Sequence, residues 1–309
     1  MKSMESIILS YRNGEIEKEY FIKVMHENFH SKLFNFARYL SNTNIQKIEI
    51  DDGRVIMITR DRGIRIACEE SDFRIAPIEA LNFKDYERPE TKMVEKLFSD
   101  GDTFFDIGAN IGWYSLNVAA AHRNSKIFSF EPIPNTYKQL LKNIELNSRS
   151  LITPCNFGFS DQSGEFPFYY YPEGSGNASS ANLTERQDIE TVMCNVQTLD
   201  DFCTNKNEKV DFIKCDVEGA ELLVFKGGIK TIQRDKPIVF SEILRKWSSK
   251  FNYNPNEIFK LFKSMGFESF TTNGGYLIPF DAMDDLTVET NFFFLNKEKH
   301  RRLIDQYSI

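Results

Sequence analysis

From about residue 103 onward, strand-like and helix-like runs alternate with a regularity that leaves few folds open. TFFDI (103–107) precedes a helical pattern over 113–122, KIFSFE (126–131) one over 134–147, and LITPCNF (151–157) closes the third strand. After an intervening segment come VDFIKCD (210–216), a helix over about 219–232, PIVFSEI (237–243), a helix over 255–265, and terminal strands in FESFTT and NFFFLN. Such alternation implies parallel pairing through right-handed crossovers, hence a doubly wound, mostly parallel α/β sheet. Ligands bind such sheets outside the carboxyl ends of the strands, so the chemistry is sought there.

Upstream the pattern differs. Residues 15–41 place Ile16, Tyr20, Val24, Phe29, Leu33, Phe36 and Leu40 at helical spacing, predicting one or two amphipathic helices. The stretch IQKIEIDDGRVIMITRDRGIRIAC turns at Asp52-Gly53 and Arg62-Gly63 and reads as a small β-meander. Residues 1–85 are therefore expected to form an N-terminal αβ subdomain that caps the site or makes homodimer contacts. Residues 86–309 form the larger domain, entered through a short helix at ETKMVEKLF after Pro89. YPEGSGNASSANLTERQD (171–188) is rich in Gly, Ser and Asn and is expected to be a mobile loop or lid.

Asp106, Gly108, Asn110 and Gly112 fall on the turn from the first strand into the first helix. Gly108 allows the tight turn, and Gly112 allows close approach of ligand or helix to the backbone. Glu131 ends the next strand, where an acid can accept both hydroxyls of a ribose. An adenosine-bearing cofactor is implied, and charge separates the two candidates. A dinucleotide sets a pyrophosphate over a G-x-G-x-x-G turn, whereas D-x-G-x-N-x-G puts an acid there. Asp106 would repel the pyrophosphate and suits the ammonium and sulfonium of S-adenosylmethionine. Asp161, in FGFSD (157–161), either accepts from the adenine amino group or is a turn acid ahead of Gly164.

KCDVEGAE (214–221) is the densest cluster. Asp216 sits at the tip of the fourth strand and Glu218 at the following turn. Lys214 shares the face of Asp216 and can pair with it, and Glu242 ends the fifth strand. Glu221 falls in the first turn of the next helix, where the dipole favours an acid. Tyr86 and Glu90 are candidates for the methionine end of the cofactor; a helix start at Pro89 explains them as well. Trp113 and Tyr114 are expected to pack the first helix, and the aromatic run FPFYYY (166–171) either stacks on a sugar ring or packs a strand.

Taken together, DIGANIGWYSL (106–116), FEP (130–132), Gly158–Asp161 and K-x-D-V-E-G-x-E at 214–221 resemble the FkbM-type methyltransferases, over roughly residues 86–245. This is a family of class I, Rossmann-like S-adenosylmethionine-dependent enzymes. The resemblance implies a seven-stranded sheet whose last strand is antiparallel, and O-methylation of a small hydroxylated molecule, often a sugar or natural-product precursor. Methyl transfer needs alignment, exclusion of water and removal of the acceptor's proton. Asp216 or Glu218, then Glu242, are the candidate bases, since none of the four His stands in a motif. The same acids could instead hold Mg²⁺ against a diol, although no separate metal ligand set is visible.

The rival readings are a nicotinamide-dependent oxidoreductase, which Asp106 opposes, and a non-catalytic binding or scaffold protein, which would not need acids at every strand end. A net charge of −7 opposes nucleic acid as the main partner. Five scattered Cys without a CxxC pair support neither a zinc site nor a disulfide framework. No stretch of 18 apolar residues occurs, and MKSMESIILSY is too short an apolar run for a signal peptide, so a cytoplasmic chain is expected. On that reading the sequons at Asn177 and Asn182 carry no meaning.

Overall fold

The computed structural model describes residues 3–171, 174–183 and 189–309. The central sheet has eight strands: β1 (Thr103–Ile107), β2 (Lys126–Phe130), β3 (Ile152–Cys155), β4 (Phe212–Cys215), β5 (Ile238–Glu242), β6 (Phe267–Asn273), β7 (Tyr276–Pro279) and β8 (Asn291–Asn296). Their spatial order is β7-β6-β8-β5-β4-β1-β2-β3. β1 to β5 pair in parallel, and β8 inserts antiparallel between β5 and β6.

The sheet is thus an α/β sheet with an antiparallel last strand, but it has one strand more than the expected seven. Gly274 and Gly275, both at positive φ, fold Tyr276–Pro279 back onto β6 as an edge hairpin. The chain winds from β1 to β2 and β3 in one direction and from β4 to β5 in the other. The reversal falls between β1 and β4, and in doubly wound sheets that crevice is the ligand site.

Phe104, Phe105, Phe212, Phe240, Phe293 and Phe294 fill the sheet and are all buried. Phe262 stacks on Phe294 at 4.3 Å, and Phe240 on Phe293 at 4.7 Å. Each such ring contributes roughly 1.5–3 kcal/mol by leaving water, so the many Phe of the composition are largely core.

Helices Trp113–Ala121, Pro134–Leu146 and Asn256–Ser264 lie within a residue or two of their expected positions. The helix expected over 219–232 is instead two, Glu221–Lys226 and Ile229–Asp235. Gly227 breaks it, because a Cβ there would stand 2.1 Å from the carbonyl oxygen of Ser160. The third strand also ends early: Gly158–Phe159 leaves the central sheet and pairs in parallel with Glu190–Gln197. That strand pairs antiparallel with Gly164–Tyr171, which in turn pairs with Gly174–Ser179, making a separate four-stranded sheet. The aromatic run 166–171 is therefore strand, and much of the segment expected as a lid is hairpin; the remainder of that expectation, at 172–173 and 184–188, lies outside the described residues.

The N-terminal part is a helical arm (Met4–Arg12, Lys18–Met25, a π-helical turn at His26–His30 and Ser31–Leu40) followed by the meander Ile45–Asp51, Arg54–Thr59 and Arg65–Cys68. Of the amphipathic stripe, Tyr20, Leu33 and Phe36 are exposed at 58%, 59% and 45%. Among the described residues no helix is long and apolar enough to cross a membrane.

Candidate active site

The turn after β1 is built for closeness. Gly108, at φ +72, lies against the turn after β4, and a Cβ on it would stand 1.9 Å from the carbonyl oxygen of Asp216. Asn110 takes a left-handed conformation, and Gly112, also at positive φ, begins the next helix. A Cβ on Gly112 would meet Leu140 at 2.7 Å. Both glycines are thus required by neighbours within the chain, before any ligand is considered.

Glu131, just past β2, ties this turn down. Its Oε2 accepts from the backbone N–H of Asn110 at 3.0 Å and its Oε1 from that of Ile133 at 2.9 Å. A carboxylate oxygen has a second lone pair, so these bonds orient Glu131 while leaving it able to accept hydroxyls. Burial pushes the carboxyl up to about 7.

Asp106 is 1% exposed. Its Oδ2 accepts from the backbone N–H and the hydroxyl of Ser115 at 3.0 and 2.6 Å, and Ser115 also bonds Ser129. Its Oδ1 has no hydrogen bond and lies 3.5 Å from the ammonium of Lys214. The charge expected to face a ligand is therefore spent within the chain, on the first turn of the following helix and on Lys214.

Lys214 sits at the centre. It donates to the carbonyl of Gly108 at 2.7 Å and lies 3.6 Å from Asp216, with the Tyr114 ring 5.7 Å away. Burial, the largest single influence, pulls the ammonium down. Asp216, Asp106 and Glu87 together outweigh it and hold Lys214 above the ordinary lysine range.

Around the mouth stand more carboxylates. Asp216 is the open one, its side chain 32% exposed. Glu218 has left-handed backbone, and its Oε2 is buried without a partner. Burial and then the Asp216 charge raise Glu218 well above the usual carboxylate range, and Glu242 at the end of β5 is raised by the same two causes. Glu221 is a scaffold acid: it accepts from the N–H groups of Val217 and Gly219 at 3.1 and 3.0 Å and from the Tyr253 hydroxyl at 3.3 Å. The second sheet reaches this turn too, since Ser179 donates to the carbonyl of Glu218 at 2.9 Å.

Sequence reasoning missed Glu87. It precedes the helix Arg88–Leu97 with left-handed backbone, and accepts from the Tyr114 hydroxyl at 2.6 Å. Burial pushes Glu87 up to about 7. Tyr114 thus does more than pack its helix. Tyr86 lies edge-on to Trp113 at 5.4 Å and within electrostatic reach of Asp216 and Glu242, while Glu90 stays partly exposed on the same helix start. Asp161 is exposed on the turn after Gly158–Phe159, with the Ser160 hydroxyl at 3.3 Å. The second sheet carries it, not β3.

The arrangement fits a cationic adenosyl cofactor. Glu131 keeps lone pairs free to accept hydroxyls, and the neighbouring crevice carries Glu87, Asp216, Glu218 and Glu242, with the Lys214 ammonium already engaged and Lys246 within electrostatic reach of Glu218. A pyrophosphate would meet like charge on each side. Among the described residues no group of three or more His, Cys, Asp or Glu is spaced to hold a metal ion. A cleft of about 280 Å³ opens beside the Asn110–Gly112 turn, with Glu69, Asp72, Asn135, Gln139, Tyr170 and Glu190 on its walls.

Comparison with known proteins agrees with this chemistry. The family model described as Methyltransferase FkbM domain matches residues 106–269, more than half of the chain. Methyltransferase 1 of Beauveria bassiana is 28% identical over 42% of this chain and 59% of its own length. Hexuronic acid methyltransferase AglP of Haloferax volcanii is 29% identical over 43% of this chain and 53% of its own. The chain thus spans a little over half the length of these curated relatives. A crystal structure of methyltransferase FkbM from Methylobacillus flagellatus overlaps with a TM-score of 0.42 at 17% identity, covering 74% of this chain and 55% of that one.

Proposed function

We propose that this chain, which belongs to the FkbM methyltransferase family, is an S-adenosylmethionine-dependent O-methyltransferase acting on a hydroxyl of a small molecule. The observation that carries the reading is the crowding of acids in the crevice: Glu87, Glu218 and Glu242 are raised above the usual carboxylate range by burial and by Asp216, so a bound cation is favoured at the β1–β4 switch point over a pyrophosphate. The oxidoreductase reading fails on the same ground.

When bound, S-adenosylmethionine supplies a methyl group activated by its sulfonium. The chain's own tasks are to hold the adenosine on Glu131 and the Gly108–Gly112 turn, to exclude water, and to take the acceptor's proton. Glu218 is the base in this proposal. Its buried Oε2 lacks a partner, and the negative field of Asp216 raises its affinity for a proton. Lys214 keeps Asp216 in place, and Glu242 lies on the far wall.

The acceptor is a hydroxylated ring, sugar-linked in the simplest case. That AglP acts on a hexuronic acid, as its name states, is in keeping with a carbohydrate.

Residues 1–85 are proposed to supply a dimerisation surface and 86–309 the catalytic domain, the two sharing a core through Ile64, Ile66 and Ile75. Of the nineteen exposed large hydrophobic residues among those described, thirteen lie between Met4 and Phe83. Tyr20, Ile22 and Phe34 are exposed on the arm, which also carries an apolar groove of about 840 Å³ lined by Leu33, Phe36, Ile48, Ile50 and Val55. Exposed apolar surface of this extent suits pairing of two copies.

Calorimetric titration with S-adenosylmethionine, S-adenosylhomocysteine and NADH tests the cofactor. Micromolar binding of both adenosyl compounds, about −8 kcal/mol, is expected, with none for NADH; the reverse result ends the proposal.

A further inference from the structure

The segment that joins the meander to the larger domain is under backbone strain where it passes the crevice. Lys84 and Glu87, three residues apart, both have positive φ, at +76 and +42. Neither is glycine, so each holds a conformation that L side chains avoid unless their surroundings impose it. Strain at a crevice is a pointer to function when a side chain is aimed by it.

Glu87 is such a side chain. Its Oε2 is fixed by the Tyr114 hydroxyl at 2.6 Å, and Tyr114 begins the helix that follows the β1 turn. The carboxylate is within electrostatic reach of Asp216 and Lys214, near the tip of β4. Among the described residues no Lys or Arg forms an ion pair with it, whereas Asp106 and Asp216 share Lys214. With the Tyr114 hydroxyl bonded to it and the Tyr86 phenol as a second hydrogen-bond neighbour, this carboxylate still has no cation of its own at the crevice.

Glu131 fixes where the ribose goes, one strand away on β2. A cofactor laid from there toward the β1–β4 switch point brings its amino-acid end to the crevice that Glu87 and Asp216 flank. Asp106 is the more enclosed acid: it is 1% exposed, its Oδ2 is bonded twice to Ser115, and its Oδ1 faces the Lys214 ammonium at 3.5 Å.

We infer that Glu87, and not Asp106, is the cofactor-binding carboxylate that takes the α-ammonium of the methionine moiety, with the Tyr114 hydroxyl as its positioning group. This rests on the S-adenosylmethionine reading above and names a residue for it. The segment that leads from the meander into the domain thereby becomes part of the cofactor site.

The test separates the two parts of the cofactor by calorimetry on the full chain. S-adenosylmethionine and S-adenosylhomocysteine carry the ammonium; 5′-methylthioadenosine keeps the adenosine and lacks the amino-acid tail. Glu87→Gln is expected to weaken the first two by about ten- to a hundredfold, the range of a charge-assisted hydrogen bond, and to leave methylthioadenosine within about twofold by the same argument. Tyr114→Phe, which removes only one hydroxyl, is expected to give a smaller loss with the same ligand selectivity. This second variant decides the matter where Glu87→Gln fails to fold. Equal loss on all three ligands, no loss on any, or loss confined to S-adenosylmethionine overturns the assignment, the last because it points to the sulfonium. A wild-type chain that binds none of the three overturns the functional reading itself, a result plainly distinct from those.

Discussion

The ammonium of Lys214 lies 2.7 Å from the carbonyl oxygen of Gly108 and 3.5 Å from the carboxylate of Asp106. One buried cation thus pins the β1 turn to β4 and neutralises the acid beneath it. Lys214→Met keeps the volume and removes the charge, leaving Asp106 buried without a counter-ion. Breaking a buried pair from one side costs about 3–5 kcal/mol. Urea denaturation is expected to show that loss; a variant as stable as the parent would mean that the Lys214–Asp106 pair does not hold the turn to β4.

The same turn yields a paired prediction on glycine. Gly14 and Gly108 have nearly equal φ, +71 and +72, but a Cβ on Gly14 meets nothing within 4 Å while one on Gly108 meets Asp216 at 1.9 Å. Gly14→Ala isolates the left-handed penalty, about 1–2 kcal/mol. Gly108→Ala adds an overlap with backbone that has no room to give, a further ~1–3 kcal/mol. Melting temperatures of the two variants check the difference, and equal shifts would show that the two turns are not packed together.

Much of this architecture can be read from the residues, because strand and helix leave different periods and the strand ends carry their acids in sequence order. The placement of Asp106, Gly108, Glu131, Lys214 and Asp216 around one crevice follows from that order. Glu87 is different. In Glu-Arg-Pro-Glu an acid before Pro89 looks like any first-turn carboxylate, and only φ +42 turns it toward Tyr114. The eighth strand was hidden because β7 is a four-residue edge closed by Gly274-Gly275. Gly158–Phe159 was assigned to the wrong sheet because two residues carry no periodicity of their own. The N-terminal stripe was legible as amphipathic, but a helical period does not say whether the apolar face meets this chain or another.

Acid in the crevice should make the ligand-free protein less stable as pH rises. Glu87, Glu131 and Glu221 are each pushed up to about 7 by burial, against 4.5 for an open Glu. Between those values the folded state binds more protons than the unfolded one, so stability is present at the lower pH and is lost toward pH 7. His300, lowered to about 4 by burial and Lys299, works in the opposite sense but is one group against three. The ligand-free chain is expected to melt higher at pH 5.5 than at 7.5, with S-adenosylmethionine narrowing the gap by supplying the missing cation. A melting temperature that climbs across this range would contradict the burial of these acids.

The exposed arm predicts a concentration-dependent dimer. Phe34 and Phe36 are 62% and 45% exposed on the helix that flanks the apolar groove. Charging that groove with Phe36→Glu should leave the fold intact, since the side chain is 45% exposed, and should shift sedimentation toward the monomer. A wild-type chain that sediments as a monomer at tens of micromolar would remove the second copy as occupant.

Asp216 and Glu218 make opposite predictions for turnover. Glu218→Gln removes the proposed proton acceptor, and loss of general-base assistance is worth about 10²–10⁴ in rate; cofactor binding should persist. Asp216→Asn removes a negative charge that raises Glu218. Glu218 then ionises at lower pH, and the rising limb of the rate profile should move to the acid side with a smaller loss of maximal rate. Single-turnover rates across pH, measured once an acceptor is identified, distinguish the two. If Asp216→Asn abolishes turnover at every pH while Glu218→Gln retains it, the proton goes to Asp216 and Glu218 only shapes its field.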